Sequence, residues 1–171
     1  MGKLFIDKDC ISFRKKFAVR DEKGNTLYTI EGKRYAQSNC VLICNQEGLE
    51  LAQICEKWTL KNVTYELMLA NELITSIQPK FSWTKMRYQV ENMDIELVGN
   101  LSGLKFAIMK NQEKIGEIST KTSSMFTKFV VDCYDDSCEL LILSLVLAVS
   151  FSNSNMMNIG LIGGLVGAGS L

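Results

Sequence analysis

The sequence predicts a mainly β protein: a closed antiparallel barrel of about twelve strands around a central hydrophobic C-terminal α-helix. Three observations lead there. Alternating segments recur as pairs around short polar turns, each pair ending I-x-x-K. The chain holds 171 residues but one proline, Pro79. And "ELLILSLVLAVSF", residues 139–151, is apolar with no polar face.

Four segments carry the repeat: "FAVRDEKGNTLYTIEGK" (17–33), "VLICNQEGLELAQICEK" (41–57), "YELMLANELITSIQPK" (65–80) and "KFAIMKNQEKIGEISTK" (105–121). Period-two alternation on both sides of a polar turn is the signature of a β-hairpin. Gly24 and Gly48, or Asn71 and Asn111, supply the residue that tolerates positive φ. The closing pairs are Ile30/Lys33, Ile54/Lys57, Ile77/Lys80 and Ile118/Lys121. A further hairpin is expected at "RYQVENMDIELVG" (87–99). The units are too irregularly spaced for a propeller, and consecutive hairpins remove exposed edges by closing into a barrel.

The run at 140–151 is too short to cross a bilayer, which needs about 20 residues. It reads instead as a helix, with Asp136 as N-cap and Glu139 as its capping-box partner. Leu140, Leu141, Ile142, Leu143, Leu145, Val146, Leu147, Ala148 and Val149 cover every face. A helix apolar all round has to be surrounded, and the available surround is the sheet. Inward-facing Val19, Leu27, Val41, Ile43, Ile54, Leu67, Leu69 and Ile108 are expected to pack on it.

Composition narrows the function. Nineteen basic residues balance nineteen acids, so no net field recruits nucleic acid. Histidine is absent, which removes Ser-His-Asp and Cys-His catalysis. No P-loop, Rossmann or G-x-S-x-G motif occurs. The six cysteines form no C-x-x-C pair, so neither a metal nor a cofactor is expected, and the thiols read as free core fillers in a reducing cytoplasm. Cys40 and Cys44, four apart on one strand, share a face from which they could pair with a neighbouring thiol; inert packing is the simpler reading. No stretch near the N-terminus has signal-peptide length.

The opening "KLFIDKDCISFRKKFAVRDEKGNTLYTIEGK", the I-x-x-K closures, "YELML", "FSWTKMRYQVE" and the ending "DDSCELLILSLVLAVSF" together resemble the LURP-one-related family of the Tubby C-terminal-like superfamily. The resemblance spans roughly residues 3–151. It implies a twelve-stranded barrel threaded by its C-terminal helix, with no catalytic residues to carry over. Phosphoinositide-binding tubby-like proteins and phospholipid scramblases share the superfamily, and fold alone does not transfer their functions.

The one candidate binding cluster is basic: Arg14, Lys15 and Lys16, with Arg20, Lys33 and Arg34 close in sequence. Such a group suits anionic lipid headgroups; the neighbouring Asp7, Asp9, Asp21, Glu22 and Glu31 cancel charge and favour a solvated hairpin end. The closing lysines Lys33, Lys57, Lys80 and Lys121 recur at one geometric place and read as edge charges that hinder strand pairing. Residues 153–171, "NSNMMNIGLIGGLVGAGSL", form a Gly-rich apolar tail, expected to be loosely structured or to touch a membrane.

The expectation is therefore a non-enzymatic binding or scaffolding barrel (1–152, helix 136–151), cytoplasmic and peripheral at the inner membrane face, with anionic phospholipid or a membrane protein as partner. The alternative is a membrane-anchored, scramblase-like lipid-handling protein that uses residues 140–171 in the bilayer.

Overall fold

The computed structural model describes residues 2–7, 16–35, 38–60, 62–81, 86–101, 104–123 and 127–166; for Phe81, Met86 and residues 155–166 the description is of backbone. Twelve strands follow in order: β1 Gly2–Asp7, β2 Lys16–Arg20, β3 Thr26–Tyr35, β4 Ser38–Cys44, β5 Glu50–Trp58, β6 Val63–Leu69, β7 Glu72–Phe81, β8 Met86–Val90, β9 Ile95–Asn100, β10 Lys105–Lys110, β11 Glu113–Thr122 and β12 Thr127–Cys133. A 3-10 turn, Asp136–Cys138, leads into helix α1, Glu139–Val166, the one α-helix among the described residues.

The strands form one antiparallel sheet in the order β8-β7-β6-β5-β4-β3-β2-β1-β12-β11-β10-β9, curled into a nearly closed barrel. Neighbours are consecutive in sequence except β1 and β12, which pair from Gly2↔Cys133 to Asp7↔Lys128. The four I-x-x-K units are the hairpins β2–β3, β4–β5, β6–β7 and β10–β11. Their turns come in two kinds. Ala70–Asn71 and Asn111–Gln112 are two-residue loops with positive φ at both positions, the twist that suits a hairpin. In the longer loops, Asp21 Oδ1 accepts from the Lys23 and Asn25 amides at 2.9 and 2.8 Å. Asn45 Oδ1 does the same for Glu47 and Leu49 at 3.0 and 2.8 Å. Gly24 and Gly48 then take φ of +86° and +83°.

The repeat also explains itself. Side chains alternate faces along a strand, so a residue and its third successor point opposite ways. Ile30, Ile54, Ile77 and Ile118 are buried in the core, and Lys33, Lys57, Lys80 and Lys121 are exposed outside it.

The expected hairpin over 87–99 does not form as a paired ladder: β8 and β9 are the two edges of the sheet. The turn between them is held from both sides by other strands. The Glu91 amide donates to Ser76 of β7 at 2.9 Å, and Asp94 accepts from the Asn111 amide of the β10–β11 turn at 3.0 Å. Those bonds carry β8 and β9 to separate partners and leave the seam of the barrel between them.

Helix α1 fills the barrel. Ile142, Leu143, Leu145, Val146, Leu147 and Val149 are fully buried, as are Ser144, Ala148, Ser150, Phe151 and Ser152 to within 3%. Leu141 is buried and Leu140 packs against the core from its edge. Of the expected inward sheet residues, Val19, Val41, Ile43, Ile54, Leu67 and Ile108 are buried, while Leu27 and Leu69 are partly buried against the same core. Each buried aliphatic side chain supplies roughly 1.5–3 kcal/mol, and helix and sheet supply them to one another. Two interior hydroxyls are satisfied within the helix: Ser144 donates to the Leu140 carbonyl and Ser150 to that of Val146, both at 2.7 Å. Close approach at β11 requires a glycine. A Cβ on Gly116 would stand 3.0 Å from the Asp132 carbonyl and 3.1 Å from the Ile142 methyl groups.

Two expectations are corrected. The cap is Asp135, not Asp136, because the chain enters through a 3-10 turn that starts one residue earlier; Asp135 Oδ1 accepts from the Ser137 amide at 2.9 Å. These bonds, from Ser137 and then the Cys138 thiol, hold the Asp135 carboxyl below its ordinary pKa. Glu139 reaches sideways instead of back, and accepts from the Tyr28 hydroxyl at 2.6 Å. Second, Cys40 and Cys55 are not free thiols. The β4–β5 register sets them directly opposite, 4.1 Å apart at Cα, and they form a disulfide. Cys44, Cys133 and Cys138 are free, the last two buried.

Candidate functional site

Every ladder is antiparallel, so the odd-numbered strands all run one way and the even-numbered strands the other. The barrel therefore has a rim where odd strands end and even strands begin, and an opposite rim where the reverse holds. Helix α1 starts at the second rim, beside Gly2 and Tyr28. It reaches the first rim at Asn153, whose Nδ2 donates to the Leu101 carbonyl just past β9 at 2.8 Å. The Tyr88 hydroxyl, near the start of β8, donates to Asn153 Oδ1 at 3.1 Å. Burial pushes the Tyr88 hydroxyl up to about 12. Inside the same rim, buried Glu56 accepts from Asn39 Nδ2 at 2.9 Å. The helix thus leaves its apolar sleeve through a polar collar.

The two rims differ in charge. Lys33 and Arg34 end β3, Lys57 ends β5, Lys80 ends β7 and Lys121 ends β11. Lys16, Arg87, Lys105 and Lys128 stand at the starts of β2, β8, β10 and β12. All nine lie at the rim where the helix emerges. At the opposite rim the turns and strand ends carry Asp21, Glu47, Glu72, Asp94, Glu113 and Asp135, with Lys3, Arg20, Lys23, Lys110 and Lys114 as counter-charges. The overall balance of the sequence conceals an end-to-end polarity.

Some of the basic rim is neutralised locally. Lys16 pairs with Glu31 at 3.4 Å, Lys57 with Glu66 at 3.6 Å and Lys128 with Asp7 at 3.8 Å. Among the described residues no acid comes within ion-pair distance of Lys33, Arg34, Lys80, Arg87, Lys105 or Lys121. Two registers set like charges face to face: Lys80 opposite Arg87, and Lys121 opposite Lys128. Directly opposed like charges destabilise an antiparallel pair, and an anion between them would relieve the repulsion. Apolar groups are interleaved here. Tyr35, Trp58 and Leu60 are large, exposed and follow the lysines; the Lys33 ammonium lies 5.4 Å over the Tyr35 ring.

The six basic residues expected to cluster do so only in part. Lys16, Lys33 and Arg34 share the rim on β2 and β3. Arg20 points away from them, 3.5 Å from Asp7, and lines a half-open hollow of about 340 Å³ on the outer wall with Lys121, Lys128, Asp7, Asp21 and Glu22. Its acids balance its bases. Arg14 and Lys15 lie outside the described residues. Sequence reading missed Arg87, Lys105 and Lys128; the signal was available in the alternation of strand direction, which places every second connection on one rim.

The description of a family model, LURP-one-related, matches residues 3–150. YxjI of Bacillus subtilis (strain 168) is 19% identical over 121 residues, covering 71% of this chain and 75% of that protein. Among solved structures, the X-ray structure of AT5G01750 from Arabidopsis thaliana superposes with a TM-score of 0.56 at 12% identity, over 86% of this chain and 90% of the other. At that identity the likeness shows the fold.

Proposed function

The chain belongs to the LURP-one-related family, and on that premise we propose that it is a non-enzymatic barrel that docks peripherally on anionic phospholipid surfaces through its basic rim. The observation that carries this reading is the polarity of the barrel: lysines and arginines with no acid in ion-pair distance among the described residues, two opposed like-charge pairs, and exposed Tyr35, Trp58 and Leu60 all at one end. Basic residues near an anionic bilayer each contribute about 1 kcal/mol, and aromatic side chains prefer the headgroup level. What supports the absence of chemistry is a histidine-free sequence and a barrel interior occupied by its own helix.

The anchored alternative uses residues 140–171 in the bilayer, and so needs the barrel's central helix there. The window apolar enough to cross, Asp136–Ser154, is 78% buried inside the barrel, so that use would empty the core. Anionic lipid is concentrated in cytoplasmic leaflets, which favours that side. The Cys40–Cys55 bond pulls the other way, since a reducing cytosol opens disulfides. Thiol trapping in intact cells decides: two free thiols place the protein in the cytoplasm, an intact bond outside it.

The test of the lipid reading is co-sedimentation with phosphatidylcholine vesicles containing or lacking phosphatidylserine. Binding should require the anionic lipid, weaken as salt is raised, and be lost with Lys33→Glu, Arg34→Glu and Lys121→Glu together, but not with Lys23→Glu at the opposite rim. Equal affinity for neutral vesicles, or no binding at low salt, overturns it.

A further inference from the structure

We propose that the outer-wall hollow beside Phe5 is a site for a phosphate ester that carries a primary ammonium group, as the headgroup of phosphatidylserine does; this deepens the lipid reading above and rests on it for the source of the ligand. The strand registers build the site. Leu4 and Ile6 are fully buried, so Phe5 and Asp7 point outward from β1. Asp7 stands opposite Lys128, and Lys128 opposite Lys121, which makes one outward row at the basic rim. Two residues back along β1, about 7 Å, Phe5 stands opposite Arg20 of β2. Among the described residues the β1–β2 ladder has two pairs, Phe5↔Arg20 and Ile6↔Val19. Past Arg20 the chain enters the turn after β2, and Asp21, Glu22 and Gly24 close the far side of a hollow of about 340 Å³.

The charges of the hollow balance in sum and divide in space. At the rim end one carboxylate serves three cations. Asp7 Oδ2 accepts from Arg20 at 3.5 Å, and Asp7 Oδ1 lies 3.8 Å from Lys128. Lys121 faces Lys128 with no acid in ion-pair distance among the described residues. That end is short of negative charge, and Arg20 keeps guanidinium donors beyond the one Asp7 takes, in a fork that matches phosphate oxygens. At the far end both Asp21 oxygens are taken up by its own turn, through the Lys23 and Asn25 amides and the Asn25 side chain. Glu22 is exposed and has no ion-pair partner among the described residues; its carboxylate is the one placed to receive an ammonium. Half-buried Phe5 floors the space between with apolar surface. A phosphate alone would leave Glu22 unanswered, and an amine alone would leave the rim cations so. A phosphate with an ammonium a few carbons away answers both. A quaternary ammonium has no N–H to give Glu22, which sets phosphatidylcholine apart.

The experiment uses the full chain and phosphatidylcholine vesicles with equal fractions of phosphatidylserine or of phosphatidylglycerol, which has the same net charge and no amine. The wild type should bind the phosphatidylserine vesicles about fivefold more tightly, the upper range for an exposed ion pair. Glu22→Gln should abolish that preference without weakening binding to phosphatidylglycerol. Glu47→Gln, in a turn of the opposite rim, should leave the preference intact. Equal affinity of the wild type for both vesicles, or a preference that survives Glu22→Gln, overturns the site while the attraction of the rim to anionic lipid stands. A second arm adds soluble glycerophosphoserine or glycerophosphoglycerol and follows the Phe5 ring resonances by NMR; the first compound should shift them more than the second. If no vesicle binds at low salt but glycerophosphoserine still shifts Phe5, the lipid reading fails and the hollow takes its ligand from solution. If no vesicle binds and Phe5 does not respond, both fall. Circular dichroism of each variant confirms that the barrel is folded.

Discussion

The Tyr28 hydroxyl donates to Glu139 Oε1 at 2.6 Å, tying the third strand to the first residue of the central helix across 111 positions of sequence. Burial, and then the Glu139 carboxylate, raise the Tyr28 pKa above its ordinary value. The neutral hydroxyl is therefore the stabilised form. Its contribution is complete below the unfolded tyrosine value of about 10 and is lost as pH rises through the folded one.

Tyr28→Phe removes a hydrogen bond to a charged group and should cost about 1.5–3 kcal/mol. The check is the urea midpoint at pH 7, read by circular dichroism. Vesicle binding should not change, because Tyr28 lies at the rim away from lipid.

At Gly116 the helix packs closely against β11. Gly116→Ala puts a methyl group 3.0 Å from the Asp132 carbonyl and 3.1 Å from Ile142, and neither backbone nor buried helix can easily give way. A loss of about 1–3 kcal/mol is expected, seen as a lower melting temperature. An unchanged one would mean that helix and β11 are farther apart.

At Lys80 stability and binding should move apart. Lys80→Glu replaces a like-charge pair with an opposite-charge pair facing Arg87. Stability should rise by roughly 0.2–1 kcal/mol, while affinity for phosphatidylserine vesicles falls. If melting temperature and binding drop together, the rim lysine is structural.

The free cysteines should differ in reactivity. Burial pushes the Cys133 thiol up to about 12, helped by the Glu139, Asp132 and Asp136 carboxylates. It is protonated at pH 8 as well as enclosed, and should resist iodoacetamide until the protein unfolds. Cys44 is partly accessible, and burial and then Glu50 raise its pKa. It should label slowly in the native state. Peptide mapping after timed alkylation gives the order.

Hairpins and the enclosed helix were legible because each has a local signal: period-two alternation closing on I-x-x-K, and an apolar run with no polar side. What escaped depends on register, which no local pattern carries. Cys40 meets Cys55 through the β4–β5 ladder. Asp135 takes the cap because a 3-10 turn precedes the helix, a difference of one residue at an end rich in acids. The β8–β9 connection looks like any other hairpin in sequence, and only the bonds of Glu91 to β7 and of Asp94 to the β10–β11 turn part its strands. The candidate site was half visible. Lys33, Lys57, Lys80 and Lys121 are a motif, whereas Arg87, Lys105 and Lys128 join them only once strand directions are known.

Amide hydrogen exchange across residues 141–152, with and without phosphatidylserine vesicles, tests most directly whether the helix stays enclosed while the rim engages lipid. These amides should exchange as slowly as the slowest in β5, β11 and β12, and vesicles should leave both helix and strands unchanged. Fast exchange in the helix without lipid, or strands that lose protection when vesicles are added, would contradict the account, because the helix would then lie outside the barrel or leave it for the bilayer.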